Sequence, residues 1–260
     1  FQDLKSDTVY HRLVWTETVS DARWEMKSYS VVNYYGQDRQ IHSLTRGSRY
    51  FQVCCCNEEA LYAVIEFPVE GGSNIVILNP ADGSVIERIP TPSGLEPTDL
   101  AWVGKKLFAT ANTSSGAGIY NVFDGFIPLI QNVPSNISEL NPFRGNLYFG
   151  CDRTGVNELY TINISDGSIR QLSNTRFGGS NWIFLRDSLL FSQAGRDGKN
   201  IVSIPLSEEK EVADLNYERV SFLVPESPSK LPVKDCDTTT YKISNYSKFA
   251  HLIRFHSWIP

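Results

Sequence analysis

One phrase recurs five times along the chain: an apolar strand, a polar loop, a second apolar strand, a turn centred on Asp-Gly or a substitute, and a third strand. The copies open near Leu13, Ala60, Lys106, Asn146 and Leu189, and their anchors Leu13, Leu61, Leu107, Leu147 and Leu190 stand 40 to 48 residues apart. A unit of about 40–45 residues holding several short strands cannot bury its apolar face alone, so neighbouring units must stack. The class this specifies is all-β, a β-propeller with five readable blades, each expected to be four-stranded. Five blades either form a ring by themselves or belong to a six- or seven-bladed ring with further blades upstream. The short inner strand read at Phe1–Leu4 favours the second.

Inner strands are expected at Phe1–Leu4, Tyr50–Cys56, Thr98–Trp102, Ile137–Asn141 and Ser180–Phe184. The strands that follow them, such as Leu-Tyr-Ala-Val from Leu61 and Leu-Tyr-Phe-Gly from Leu147, are nearly continuous apolar runs. That pattern marks strands covered on both faces, which stacked blades provide. Trp102 and Trp182 recur upstream of their anchors and are expected to fill the space between blades. Asp82-Gly83, Asp124-Gly125 and Asp166-Gly167 read as tight primed hairpin turns, because glycine accepts the positive φ such turns demand.

The rhythm holds over residues 1–215 and breaks afterwards. Residues 216–260 carry Pro225, Pro228 and Pro232, which cannot donate to a sheet ladder, and then an aromatic-rich end. Phe255 and Trp258, with the apolar residues around them, present too much surface to leave in water. This segment is expected to dock on the propeller or a neighbouring molecule, or to join a further domain. The start at Phe1 without a methionine and the end just after the aromatic cluster both read as cuts from a longer protein.

Composition excludes several classes. A net charge of −5 argues against nucleic acid, which needs a basic face. No apolar run approaches the ~18–20 residues of a membrane helix, so insertion by this segment is not expected. The five cysteines are an odd number, and Cys54, Cys55 and Cys56 are consecutive. Strand alternation sends Cys54 and Cys56 to one face and Cys55 to the other, where they read as small buried apolar groups. Without a CxxC or HxxxH pair, a zinc site has no second ligand pair.

The stretch Leu147-Tyr-Phe-Gly-Cys-Asp-Arg-Thr-Gly155, with Glu158-Leu-Tyr160 and Asp166-Gly-Ser-Ile-Arg-Gln-Leu172, resembles the TolB-type, WD40-like propellers of bacterial envelopes. Ile41-His-Ser-Leu-Thr45 matches the same closing strand. The resemblance covers roughly residues 1–215, and Cys56-Asn-Glu-Glu59 departs from the family's usual turn. It implies a non-enzymatic scaffold in the periplasm or cell envelope of a Gram-negative bacterium, with a protein or peptide partner and no cofactor. Phe255-His-Ser-Trp-Ile-Pro260 resembles the junction at which large envelope proteins continue into an outer-membrane barrel.

Motifs for chemistry are missing. The chain has no G-x-S-x-G elbow, H-E-x-x-H, P-loop or G-x-G-x-x-G, and its four histidines, His11, His42, His251 and His256, are scattered. What remains is the set of loops between second and third strands, which in a propeller gather at one end of the channel. Asp152, Arg153, Arg196, Asp197 and Lys199 are therefore the candidate partner-binding residues. The rival reading is a calcium-dependent, lactonase-like hydrolase at the channel, for which Glu17, Asn112, Asp152 and Asp197 would supply oxygen ligands.

Overall fold

The computed structural model describes residues 2–21, 23, 26–186, 188–206 and 210–217. Phe255 and Trp258, with the rest of the chain beyond Tyr217, lie outside the described residues. Those described contain no helix and form five antiparallel sheets arranged as a five-bladed propeller. Blade 1 comprises β1 (Gln2–Asp7), β2 (Arg12–Ser20), β3 (Ser28–Tyr35) and β4 (Ile41–Ser43). Blade 2 comprises β5 (Tyr50–Cys56), β6 (Leu61–Glu66), β7 (Asn74–Leu78) and β8 (Val85–Pro90). Blade 3 comprises β9 (Glu96–Val103), β10 (Lys106–Thr113), β11 (Gly116–Asn121) and β12 (Ile127–Val133).

Blade 4 holds β13 (Ile137–Phe143), β14 (Asn146–Cys151), β15 (Glu158–Ile162) and β16 (Ile169–Gln171), and blade 5 holds β17 (Ser180–Leu185), β18 (Ser188–Gly195) and β19 (Gly198–Pro205). Among the described residues, blades 4 and 5 depart from four strands each. The last described strand, β20 (Lys210–Val212), pairs antiparallel with β16 and gives blade 4 a fifth strand, leaving three in blade 5 among the described residues. Burial explains the choice. Val212 and Leu215 enter the apolar cluster of blade 4 beside Ile162 and Ile169, and the Ser135 hydroxyl donates to the Leu215 carbonyl. The first inner strand is also longer than expected, running on to Asp7.

The second strands of blades 2, 3 and 4 are buried on both faces, as their apolar runs require. Tyr62 and Val64 of β6 pack with Val14 and Val32 of blade 1, while Ala63 and Ile65 face Leu100 and Leu107 of blade 3. Phe108 and Ile119 meet Leu140 and Phe149, and Tyr148 and Leu159 meet Trp182 and Phe191. Each fully buried side chain of this size contributes about 1.5–3 kcal/mol, so stacking between blades supplies most of the fold's stability.

Every inner strand slips register once. In β5 the slip lies between Phe51 and Cys54, in β13 between Ser138 and Asn141, and in β17 between Ser180 and Ile183. Gln52, Glu139 and Asn181 start these bulges with left-handed φ of 50°, 53° and 56°. β1 slips between Gln2 and Lys5, and β9 passes an extra residue, Thr98, against β10. Counting from the bulges shows which second-strand residues are equivalent: Leu13, Tyr62, Leu107, Leu147 and Leu189. Tyr62 and Leu189 thus replace the expected anchors Leu61 and Leu190, which are only partly buried. Trp102 and Trp182 are both buried between blades, but at different levels. Trp102 pairs with Leu107, whereas Trp182 belongs to the bulge opposite Phe191.

The Asp-Gly turns are longer than primed two-residue hairpins. In blade 2, Asn79 N–H donates to the Ser84 carbonyl, Gly83 N–H to the Asn79 carbonyl and Ala81 N–H to Asn79 Oδ1. Blade 4 repeats this bond for bond through Asn163, Ser165, Gly167 and Ser168. The Ser84 hydroxyl donates to Asp82 at 2.6 Å and the Ser84 N–H at 3.0 Å, and Asp166 accepts the Ser168 N–H at 2.9 Å; these bonds hold both carboxyls below the usual carboxylate range. The two glycines share φ near +72° but differ in surroundings. A Cβ on Gly83 would lie 2.4 Å from the Leu44 carbonyl oxygen of blade 1, whereas the nearest atom to one on Gly167 is 4.0 Å away. We predict that Gly167→Ala costs about 1 kcal/mol from backbone strain, while Gly83→Ala costs about 2–4 kcal/mol by also prising the turn off blade 1. Urea denaturation of both variants checks this, and equal losses would show that the Leu44 contact yields freely.

Blades 1 and 2 are also joined by a buried polar knot at the end of the propeller remote from the bulges. Arg12 Nε donates to Asp7 Oδ2 at 3.2 Å and to the Tyr62 hydroxyl at 2.8 Å, and Arg12 Nη2 donates to the Pro80 carbonyl. Tyr62 itself donates to Asp7 Oδ2, and Asp7 Oδ1 accepts the N–H groups of Val9 and Tyr10. The guanidinium lies against the rings of Tyr10, Tyr34 and Tyr62, 4.4–5.3 Å from their centroids.

Candidate functional site

The bulges do more than bend the inner strands. Asp99 Oδ2 accepts the N–H of Leu140 at 2.8 Å, binding blade 3 to the bulge of blade 4. Glu139 Oε2 accepts the N–H of Asn181 at 2.6 Å and reaches Trp182 N–H at 3.4 Å, binding blade 4 to the bulge of blade 5. A carboxylate on one bulge therefore holds the backbone of the next. Gln52 stands at the corresponding place in blade 2, yet its Oε1 is buried without a hydrogen-bond partner among the described residues.

These groups open onto one cavity of about 320 Å3, lined by Gln52, Thr98, Asp99, Asn112, Ser138 and Glu139, together with Asn136 and Ile137. It lies where the inner strands of blades 2, 3 and 4 begin. The loops between second and third strands emerge at the same end, because Tyr50 pairs with Glu66 and Ile137 with Cys151. A neighbouring cavity of about 230 Å3 shares Asn112 and Asn136 and reaches Tyr217. Below the bulges, Lys5 Nζ of β1 donates to Asn141 Oδ1 of β13 at 3.4 Å.

No family model matches the chain, and no curated protein matches it. Solved structures do match in shape. TolB from Acinetobacter baumannii superposes with a TM-score of 0.60 at 13% identity, over 81% of this chain and 54% of that one. A chain of a nidogen–laminin complex gives 0.57 at 12% identity, over 79% of this chain and 80% of that one. An oligogalacturonate lyase in complex with manganese gives 0.52 at 10% identity, over 80% and 71%. The fold is that of a TolB-like β-propeller. This chain spans about half the length of the TolB chain it matches.

Within this TolB-like propeller the candidate residues part company. Asn112 lines both cavities at the mouth. Asp152 lies beside them, its Oδ1 accepting the N–H of Asn136 at 2.8 Å. Arg153 turns inward, close enough for its charge to act on Cys151 and Tyr160. Arg196, Asp197 and Lys199 crown the tight β18–β19 hairpin of blade 5 and are exposed. Glu17 is held on blade 1, where its Oε2 accepts Asn33 Nδ2 at 2.8 Å and Trp15 Nε1 at 3.3 Å. Among the described residues, no group of three or more His, Cys, Asp or Glu side chains is placed to hold a metal ion.

The cysteine run sits as strand alternation requires. Cys54 and Cys56 are buried against blade 3, and Cys55 faces blade 1. Burial raises the Cys54 thiol well above its ordinary value, Cys55 to about 12 and Cys151 to about 11. These thiols are protonated packing groups at neutral pH.

Of the residues that build the mouth, Asn112 was among the candidates drawn from the loops, whereas Gln52, Asp99 and Glu139 were not. A signal for them does exist. Each bulge reads as a polar residue followed by a large apolar one: Asp3-Leu4, Gln52-Val53, Asp99-Leu100, Glu139-Leu140 and Asn181-Trp182. In blades 2, 3 and 4 the polar member, Gln52, Asp99 or Glu139, lines the mouth cavity, and its neighbour, Val53, Leu100 or Leu140, is buried between blades.

Proposed function

We propose that the chain is a non-enzymatic binding module of the cell envelope that recognises a protein partner at the bulge end of the propeller. The observation that carries this reading is the pair of adjoining cavities sharing Asn112 and Asn136, walled by amides, hydroxyls and carboxylates. Such groups orient a ligand by hydrogen bonds. The sequence offers no nucleophile elbow or other catalytic motif beside them. The likeness to TolB supports an envelope location in a Gram-negative bacterium, and the likeness to a chain of the nidogen–laminin complex supports a protein as the ligand.

Photocrosslinking tests this. A photoreactive phenylalanine at position 112 or 136 should join the protein to one partner in the envelope fraction. The same group at position 166, in a turn at the opposite end, should not. Excess unlabelled protein should compete the adduct away. Equal adducts from both ends, or none from the mouth, would remove the reading.

A further inference from the structure

We infer that the mouth cavity receives a single cationic side chain of the partner, an arginine or lysine entering from above the bulges. The inference rests on the reading that a protein binds at this end. A volume of about 320 Å3 stands at the small end of ligand pockets, enough for one side chain and not for a folded segment. Its chemistry selects the group. Asp99 and Glu139 bring two carboxyl groups to the cavity, each accepting a backbone N–H of the next blade. Gln52 Oε1 adds a buried acceptor that no donor among the described residues satisfies. Buried acceptors are almost always matched, so an unmatched one lining a cavity marks a place for an incoming donor.

The other lining groups point the same way. The Thr98 hydroxyl is engaged with that of Thr110 at 2.8 Å, so it does not answer Gln52. Lys5 is the cation contributed by the inner strands, but it is bonded to Asn141 and does not line the cavity. An anionic ligand would confront two carboxylates, and an apolar one would leave Gln52 unmatched. A guanidinium or ammonium instead carries three to five N–H donors and the opposite charge. The left-handed bulge at Gln52 is what turns this side chain toward the channel in place of the ordinary strand direction.

The test uses the purified chain and short peptides by titration calorimetry. N-acetyl-glycyl-arginyl-glycinamide should bind, and the same peptide with citrulline for arginine should bind at least about tenfold more weakly, because the lost contacts are charge-assisted. Gln52→Glu, which disturbs none of the bonds between blades, should tighten the arginine peptide about tenfold. Gln52→Met, of similar volume but without the acceptor, should weaken it. Circular dichroism melts of both variants confirm that they fold. Equal binding of arginine and citrulline peptides, or no tightening in Gln52→Glu, overturns the inference. Methylguanidinium binding as tightly as the peptide also overturns it, since a free cation would then suffice. A crosslink from position 112 without any arginine-peptide binding leaves the partner reading standing and removes this inference alone.

Discussion

Replacing Arg12 by methionine is expected to cost the propeller about 3–5 kcal/mol, a fall in melting temperature of about 6–20 °C. The side chain is long enough to keep much of the packing against Tyr10, Tyr34 and Tyr62, so the loss isolates the charge. Asp7 is 3% exposed and Arg12 is 8% exposed, so removing the guanidinium leaves a carboxylate in the protein interior with only hydrogen bonds to steady it. Taking one partner from a buried pair is far costlier than the pair's net worth, because ionic attraction and desolvation nearly cancel while both are present. The double variant Asp7→Leu/Arg12→Met should accordingly be more stable than Arg12→Met alone. Urea denaturation of the three variants decides the matter. A loss below about 1 kcal/mol in Arg12→Met would mean that water reaches Asp7 and compensates it.

The second large effect is alkaline. Burial is the leading cause of the raised values of Cys54, Cys55 and Cys151, and of Tyr160, which reaches about 12. A raised folded-state value means that the folded protein keeps a proton the unfolded chain has lost. The stability this represents is fully present below the unfolded thiol value of about 8.5 and disappears as pH rises toward 11–12. Each such group removes about 1.4 kcal/mol per pH unit over that window, and the three thiols together about 4 kcal/mol per unit. The urea midpoint should hold steady to about pH 8.5 and then drop steeply, with tyrosines adding to the slope above about pH 10. Cys151→Ala should make the decline shallower by about one proton. A midpoint unchanged between pH 8 and pH 10.5 would show that the thiols ionise inside the fold without penalty.

Much of this was legible in the residues themselves. The five apolar strand pairs and the spacing of their anchors are enough to demand stacked blades, and the chain folds that way. The Cys54–Cys56 run obeyed simple alternation, because a strand has only two faces. The slips were equally physical. Leu61 and Leu190 occupied the anchor places by position in the phrase, but register belongs to pairing, and the bulges shift it so that Tyr62 and Leu189 take the core. Polar residues in the loops drew the candidates toward Arg196 and Lys199. The cavity instead formed among Gln52, Asp99 and Glu139, polar residues inside strands.

The sequence by itself determined that this protein is all-β, that its unit is a blade, and which strands lie between blades. Those properties depend on the order of apolar and polar residues within a few positions, which no distant part of the chain can overrule. Only the tertiary structure decided that β20 leaves blade 5 for blade 4, where Val212 and Leu215 find cover. It also decided that Asp7 and Arg12 close a knot with Tyr62 and Pro80, and that Asp99 and Glu139 meet across blades while Gln52 is left unmatched. Each of these joins residues roughly 40 or more positions apart, whose approach depends on the angle between neighbouring sheets. That angle is written in the packing of whole blades and in no local run of residues.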